Sequence, residues 1–467
     1  MTEEQKNRSE RSSRGRSRGR KAAGSREIRR TGKNPLARLF LAAGFLAAAA
    51  GIIAVFYIWS GRNGSIGERK KEARESSASV EPQAFPDDSE NRRAGRTDET
   101  EEKENGGKGE DGTREADEKT EVEALLSQMT LEEKTLQLFM ITPEALTGVN
   151  EVYAAGERTK KAIESCPVGG IVYFRQNLKE PDQVTDMLTR TKKYFRDRIG
   201  IEPFLGIDEE GGQVSRISGR EEFGISAFPD MRTVGAQGDP KRAYEIGSQI
   251  GTYLSEYGFN LDFAPVADVL TNPENTVVAK RAFGSDGASA AAFVGEEVKG
   301  LREQGIEAVL KHFPGHGGTL EDSHDGYAET LRTLEEMRTD EWVPFREGME
   351  AGARLVMVGH ISAPQVTGDE TPAVFSKQMV TEYLRKELGF EGIIITDALN
   401  MGAVTASYDS AEAAVEALKA GNDMLLMPQD FKAAYEGVLA AVKNGELSET
   451  RIDESVRRIL TVKQGMQ

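Results

Sequence analysis

All four histidines of this 467-residue chain fall in two regions. Three of them, His312, His316 and His324, occur in KHFPGHGGTLEDSHDG at 311–326, and the fourth, His360, closes the apolar run 354–360. Imidazole titrates near neutrality, at about 6.5. Three such rings in a Gly/Pro-containing loop therefore point to proton transfer or ligation rather than to packing. Asp322 stands two residues before His324. If the loop bends, the carboxylate can orient one ring nitrogen while the other exchanges a proton with a reacting oxygen. Asp397 ends a second apolar run, in ITDALNM at 395–401. A carboxylate so placed can act as a nucleophile.

Together these groups fit a retaining displacement at an anomeric carbon. Asp397 would attack while His324 protonates the leaving oxygen. Neutral His324 would then activate water to release the sugar. Other chemistries fit less well. His312, His316, Asp322 and Asp397 are potential metal ligands, but the chain has no HExxH pattern. PGHGG lacks the GxxxxGK form of a phosphate loop, and no GxSxG elbow presents a serine. No metal and no cofactor are expected.

Elements must bring these groups together. Eight short apolar runs recur between amphipathic stretches, at 136–141, 168–174, 203–208, 259–266, 307–312, 354–360, 392–397 and 422–427. Continuous apolar runs suit parallel strands covered on both faces. Helices are predicted over 240–257, 286–304 and the closing RIDESVRRILTVKQG, and Thr130 is placed to cap a helix with Glu133 at its third position. Such repetition predicts an α/β fold, a TIM-type (β/α)8 barrel. The runs lead into Asp208, Glu209 and Glu210, then Asp268, then Lys311 and His312, then His360, then Asp397. In a barrel these meet at the C-terminal face, where barrel active sites lie.

Charge is unevenly distributed. The net charge is −17, from 77 acidic and 60 basic groups. Residues 1–38 carry 13 basic and 4 acidic groups, residues 39–60 carry no charge, and residues 121–467 carry a net −21. An acidic domain disfavours nucleic-acid binding. The apolar run LFLAAGFLAAAAGIIAVFYIWS at 39–60 would rise about 33 Å as a helix, enough to cross a membrane. The basic residues before it place the N-terminus in the cytoplasm and the rest outside. The long basic region and the continuation past Ala47–Ala50 favour an uncleaved anchor over a signal peptide. The resulting layout is a basic cytoplasmic tail at 1–38, a transmembrane helix at 39–60, a disordered extracytoplasmic linker at 61–120 and a catalytic domain at 121–467. The linker has too little apolar surface to offset chain ordering. The single cysteine, Cys166, excludes an intrachain disulfide.

At its motifs the chain resembles family 3 glycoside hydrolases, in the single-domain β-N-acetylglucosaminidase branch. The resemblance covers roughly residues 122–465. GIDEEGGQVSRI at 206–217, LDFAPVADV at 261–269, KHFPGHG at 311–317, EDSH at 321–324 and ITDALNM at 395–401 carry it. It implies a retaining exo-β-N-acetylhexosaminidase with Asp397 as nucleophile and Asp322–His324 as the acid/base dyad. It assigns sugar contacts to Asp208, Arg216, Arg281, Lys311 and His312. The expected partners are a terminal β-N-acetylhexosaminide or cell-wall glycan fragments, and the membrane through 39–60. A β-glycosidase with another sugar preference, or a non-catalytic wall-glycan-binding protein, are the alternatives. The chain departs from the pattern at Glu209, often glutamine, at Gln213, commonly basic, and at Ala398, commonly acidic. These changes would alter aglycone preference or the polar support of Asp397.

Overall fold

The computed structural model describes residues 110–319 and 328–466, with side chains from residue 119 onward. The predicted membrane segment and the loop bearing Asp322 and His324 lie outside the described residues.

All eight predicted runs contain a strand of one parallel sheet. They are β1 (Phe139–Ile141), β2 (Gly170–Val172), β3 (Phe204–Ile207), β4 (Leu261–Asp262), β5 (Glu307–Phe313), β6 (Leu355–Val358), β7 (Ile393–Thr396) and β8 (Leu425–Leu426). Sequential strands pair from β1 to β7, and β8 pairs back onto β1 at Phe139–Leu425 and Met140–Leu426. Between β7 and β8 a bridge joins Ile395 to Met424, and Thr396 N–H donates to Met424 O at 3.0 Å. The result is a near-closed eight-stranded barrel of the TIM type, with helices between the strands. Residues of β1, β2, β3, β5, β6 and β7 are buried throughout, as strands covered on both faces require.

Several runs are longer than their strands. Leu136 and Gln137, read as strand, close the helix Leu131–Gln137. Thr130 starts that helix with the predicted capping box, its hydroxyl accepting from Glu133 N–H at 3.2 Å and the Glu133 carboxylate accepting from Thr130 N–H at 3.1 Å. The run 259–266 shortens to two paired residues before Pro265, which has no N–H for a ladder.

The predicted helix over 240–257 forms as Lys241–Tyr257. It buries Ile246, Ile250 and Leu254, one face at four-residue spacing. It stops at Gly258, whose φ of 97° is open to glycine and whose N–H bonds Leu254 O and Ser255 O. The helix Gly287–Glu303 packs beside it.

The helix Glu110–Gln128 begins before Glu121, so the linker–domain boundary drawn there falls inside a helix. Its second half carries the apolar residues the linker lacks. Val122 and Leu126 are buried, and Glu123 pairs with Arg457 on the last helix, Glu449–Gln464.

Candidate active site

The strand ends surround one cavity of about 310 Å³. Asp208, Arg216, Arg281, Lys311, His312 and Asp397 all line it. Six of the eight residues assigned from sequence are therefore brought together, although 189 positions separate Asp208 from Asp397 in the chain. The other two, Asp322 and His324, belong to the segment between Thr319 and Ala328, outside the described residues.

Asp208 and Glu210 follow β3, where Gly211 and Gly212 reverse the chain with φ of 81° and 57°. A Cβ on Gly212 would lie 2.6 Å from Asp230 Oδ1, so the turn requires glycine. The reversal returns the backbone of 216–218 to Glu209. That buried carboxylate accepts from Arg216 N–H at 2.5 Å, Ile217 N–H at 3.0 Å and Ser218 N–H at 2.8 Å, and from the Tyr253 hydroxyl at 2.9 Å. Glu209 thus builds the loop that presents Arg216 and does not itself line the cavity. Gln213 is exposed beside the turn.

Lys311 and His312 come from the end of β5. The pairing register with β6 shifts between Leu310 and Phe313. Strand alternation is broken there, and both neighbouring side chains face the cavity. Lys311 Nζ lies 3.0 Å from Asp208 Oδ1 and 2.6 Å from Glu210 Oε1. Arg281 grips Glu210 through both carboxylate oxygens, at 2.7 and 2.8 Å. Burial opposes charge on Glu210, but the Arg281 and Lys311 cations outweigh it and hold the carboxyl far below its ordinary range. Burial likewise opposes charge on Lys311, and Glu210 with Asp208 raises its pKa. The network is a preorganised set of donors and acceptors, with Asp208 also 3.3 Å from Arg216 Nη2.

His312 is held by Asp268, beyond β4. Asp268 Oδ2 lies 2.8 Å from His312 Nδ1, and Oδ1 accepts from the N–H groups of His312 at 3.1 Å and His316 at 2.7 Å. His316 also lines the cavity, with Nδ1 2.8 Å from Thr319 Oγ1.

Asp397 follows β7. Its N–H donates to Val358 O at 2.8 Å, and its Oδ1 accepts from Ala398 N–H at 2.7 Å. Burial would raise its pKa, but the neighbouring His360 and His312, the Ala398 N–H and Lys311 keep it below the ordinary carboxylate value. Asp397 is thus a carboxylate at neutral pH, as a nucleophile needs. Ala398 supports it through its backbone: its carbonyl is 3.0 Å from His360 Nε2. The small side chain at 398 leaves that polar support intact.

The sequence assigned no role to Glu210, Asp268 or His360, although each stood at a strand end. Their partners are distant in the chain, and spacing alone does not reveal such pairs.

Fold and site together are those of a TIM-type barrel enzyme. A family model for the glycosyl hydrolase family 3 N terminal domain matches residues 130–462. The β-hexosaminidase A of Pseudoalteromonas piscicida is 31% identical over 328 residues, covering 64% of this chain and 54% of the relative. A β-hexosaminidase of Stenotrophomonas maltophilia is 37% identical over 267 residues, covering 56% and 76%. The structure of a family 3 β-N-acetylglucosaminidase from Paenibacillus superimposes with a TM-score of 0.68 at 37% identity, over 72% of this chain and 63% of that one. The chain thus spans little more than half of the first of these relatives. It belongs to glycoside hydrolase family 3, in the branch of the β-hexosaminidases.

Proposed function

We propose that the domain is a retaining exo-β-N-acetylhexosaminidase that hydrolyses terminal β-linked N-acetylglucosamine, with peptidoglycan fragments as its substrates. The observation that carries this reading is the half-buried Asp397, its pKa held below the ordinary carboxylate value, facing a cavity rimmed by Asp208, Arg216, Arg281, Lys311 and His312. A volume of about 310 Å³ is at the small end of ligand sites, roughly 300–1,000 Å³. That size suits one terminal sugar ring rather than an internal stretch of glycan. Carboxylates and long cationic donors match its hydroxyls and acetamido group. The names of the relatives add the acetamido preference.

In the mechanism, Asp397 attacks the anomeric carbon as the leaving oxygen takes a proton from His324. Asp322 orients and stabilises that imidazole. Water then enters, His324 removes its proton, and the glycosyl–Asp397 bond is hydrolysed. The apolar run at 39–60, preceded by basic residues, supports a single-pass anchor with the domain facing outward.

The test is a panel of β-linked N-acetylglucosaminides, glucosides and galactosides. The acetamido substrate should be cleaved preferentially. Asp397→Asn should reduce kcat by on the order of 10⁴-fold, and His324→Ala by about 10²–10⁴-fold. Full activity in Asp397→Asn would remove the nucleophile assignment. Protease accessibility of the domain in intact cells tests the topology, and a fully protected domain would contradict it.

A further inference from the structure

We propose that Asp268 is a positioning residue that fixes the tautomer of His312, so that His312 offers the sugar a hydrogen-bond acceptor at Nε2. This deepens the reading of the cavity as a sugar site and rests on it. Asp268 touches no part of the cavity itself. Its side chain is fully buried, and its carboxylate hydrogen-bonds to the 312–316 segment.

An ionised carboxylate only accepts hydrogen bonds. The N–H groups of His312 and His316 donate to Oδ1 at 3.1 and 2.7 Å and hold Asp268 as a carboxylate. The ring nitrogen 2.8 Å from Oδ2, Nδ1, must then carry a proton. In a neutral ring the proton is absent from Nε2, which becomes an acceptor. The opposite side of the ring agrees. Nε2 lies 3.5 Å from Arg281 Nη2, a group that can only donate. Arg281 cannot turn away easily, because Glu210 holds its guanidinium at two points. The other tautomer would set a lone pair against the Asp268 carboxylate and an N–H against the Arg281 N–H. Both contacts would be repulsive. His312 is therefore clamped from both sides with its acceptor nitrogen on the cavity side.

The consequence concerns recognition. Arg216, Arg281 and Lys311 are donors only, while Asp208 and Glu210 already accept from them. Nε2, only loosely engaged by Arg281 at 3.5 Å, adds a place for a substrate O–H or N–H without another negative charge. The tautomer is thus a specificity determinant, set by a residue outside the cavity.

Asp268→Asn is the informative substitution. Its amide oxygen can still accept from the two backbone N–H groups, while its NH₂ faces His312 Nδ1 as a donor and demands the opposite tautomer. The full chain, labelled with ¹⁵N at its four histidines, should show His312 as the Nδ1–H form at pH 8.5. The resonance is assigned by its disappearance in His312→Gln. In Asp268→Asn the Nε2–H form should dominate. Against the N-acetylglucosaminide, kcat/KM should fall about 10–100-fold, the loss expected from a charge-assisted hydrogen bond, mostly through KM. In a His312→Gln background the same substitution should cost less than about 3-fold. An Nε2–H form in the wild-type chain overturns the proposal even if Asp268→Asn misfolds. So does an unchanged tautomer in a folded Asp268→Asn, or a loss that is fully additive with His312→Gln, which would mean Asp268 acts only by holding the loop. If the chain cleaves no hexosaminide, the spectrum still decides the tautomer, and the functional reading fails separately.

Discussion

At the scale of single residues, the site separates charge from chemistry. Asp397 neighbours His360, His312, Lys311 and one backbone donor, whereas Glu210 is gripped by two cations and is unsuited to nucleophilic attack. The pH profile should reflect this. Asp397 has a folded pKa below its reference value of 3.8, so it stays ionised as pH falls until that depressed pKa is reached. The acidic limb of kcat/KM should therefore lie below pH 3.8 in short assays on protein that is still folded. The alkaline limb should follow His324, which must be protonated to act as acid, and should disappear in His324→Ala when a substrate with a good leaving group is used. An acidic midpoint at pH 5 or above would show that Asp397 does not control it. The sequence made the residues of this site legible because they stand at strand ends and in loop motifs. It did not reveal that Asp268 holds His312, or that Arg281 and Lys311 hold Glu210. Glu209 illustrates the gap. Read as a position that could alter aglycone preference, it is a loop-building acceptor of three backbone N–H groups, a role its sequence neighbours do not announce.

At the scale of elements, hydrophobic runs located the eight barrel strands among the described residues, because parallel strands are apolar on both faces. Their ends were less legible, since ladders stop where side chains or prolines take over the hydrogen bonding. β4 stops before Pro265, and Asp423, inside the run assigned to β8, accepts from Ile394 N–H at 3.0 Å. Helix Gly287–Glu303 holds a feature that amphipathic spacing does not reveal. Glu297 is 1% exposed on it, and both its carboxyl oxygens are buried with no hydrogen-bond partner. Burial, together with Asp262 and Glu210, pushes its pKa well above 4.5. The sign follows from linkage. Below about pH 4.5 both folded and unfolded chains hold the proton. As pH rises past that value the unfolded chain releases it first, so this group's contribution to stability falls until the folded pKa is passed. Glu297→Gln should remove that slope. Its Tm should exceed the wild-type value by about 2–4 °C or more at pH 8, corresponding to at least 1 kcal/mol, with a smaller difference at pH 4.5. Equal differences at the two pH values would show that Glu297 keeps an ordinary pKa.

At the scale of the whole molecule, the barrel joins the two ends of the domain. The last helix packs on the first described one, Lys134 reaches Asp453 at 2.8 Å, and Lys463 Nζ donates to Gln137 Oε1 at 2.8 Å across 326 positions. None of this was legible from the terminal segments, because RIDESVRRILTVKQG reads as an ordinary amphipathic helix and nothing in its spacing marks Lys463 as buried. Instead Lys463 is 1% exposed, lies 5.2 Å from the Phe204 ring centroid, and is lowered by burial from 10.5 to about 7. Below pH 7 the folded chain must bury a charge, and the penalty is fully present. Between pH 7 and 10.5 the folded lysine is increasingly neutral while the unfolded one is still protonated, so stability rises with pH. Above 10.5 both forms are neutral and the penalty is gone. Lys463→Met nearly conserves volume but loses the bond to Gln137. The variant should therefore have its greatest relative stability at pH 6. That relative gain should shrink steadily as pH rises past 7 and vanish only above pH 10.5, leaving only the cost of the missing hydrogen bond, about 1 kcal/mol. Denaturant midpoints of both proteins across this range measure the difference. A difference that stays constant from pH 6 to 10 would mean that Lys463 titrates normally and that the closure of the barrel carries no buried charge.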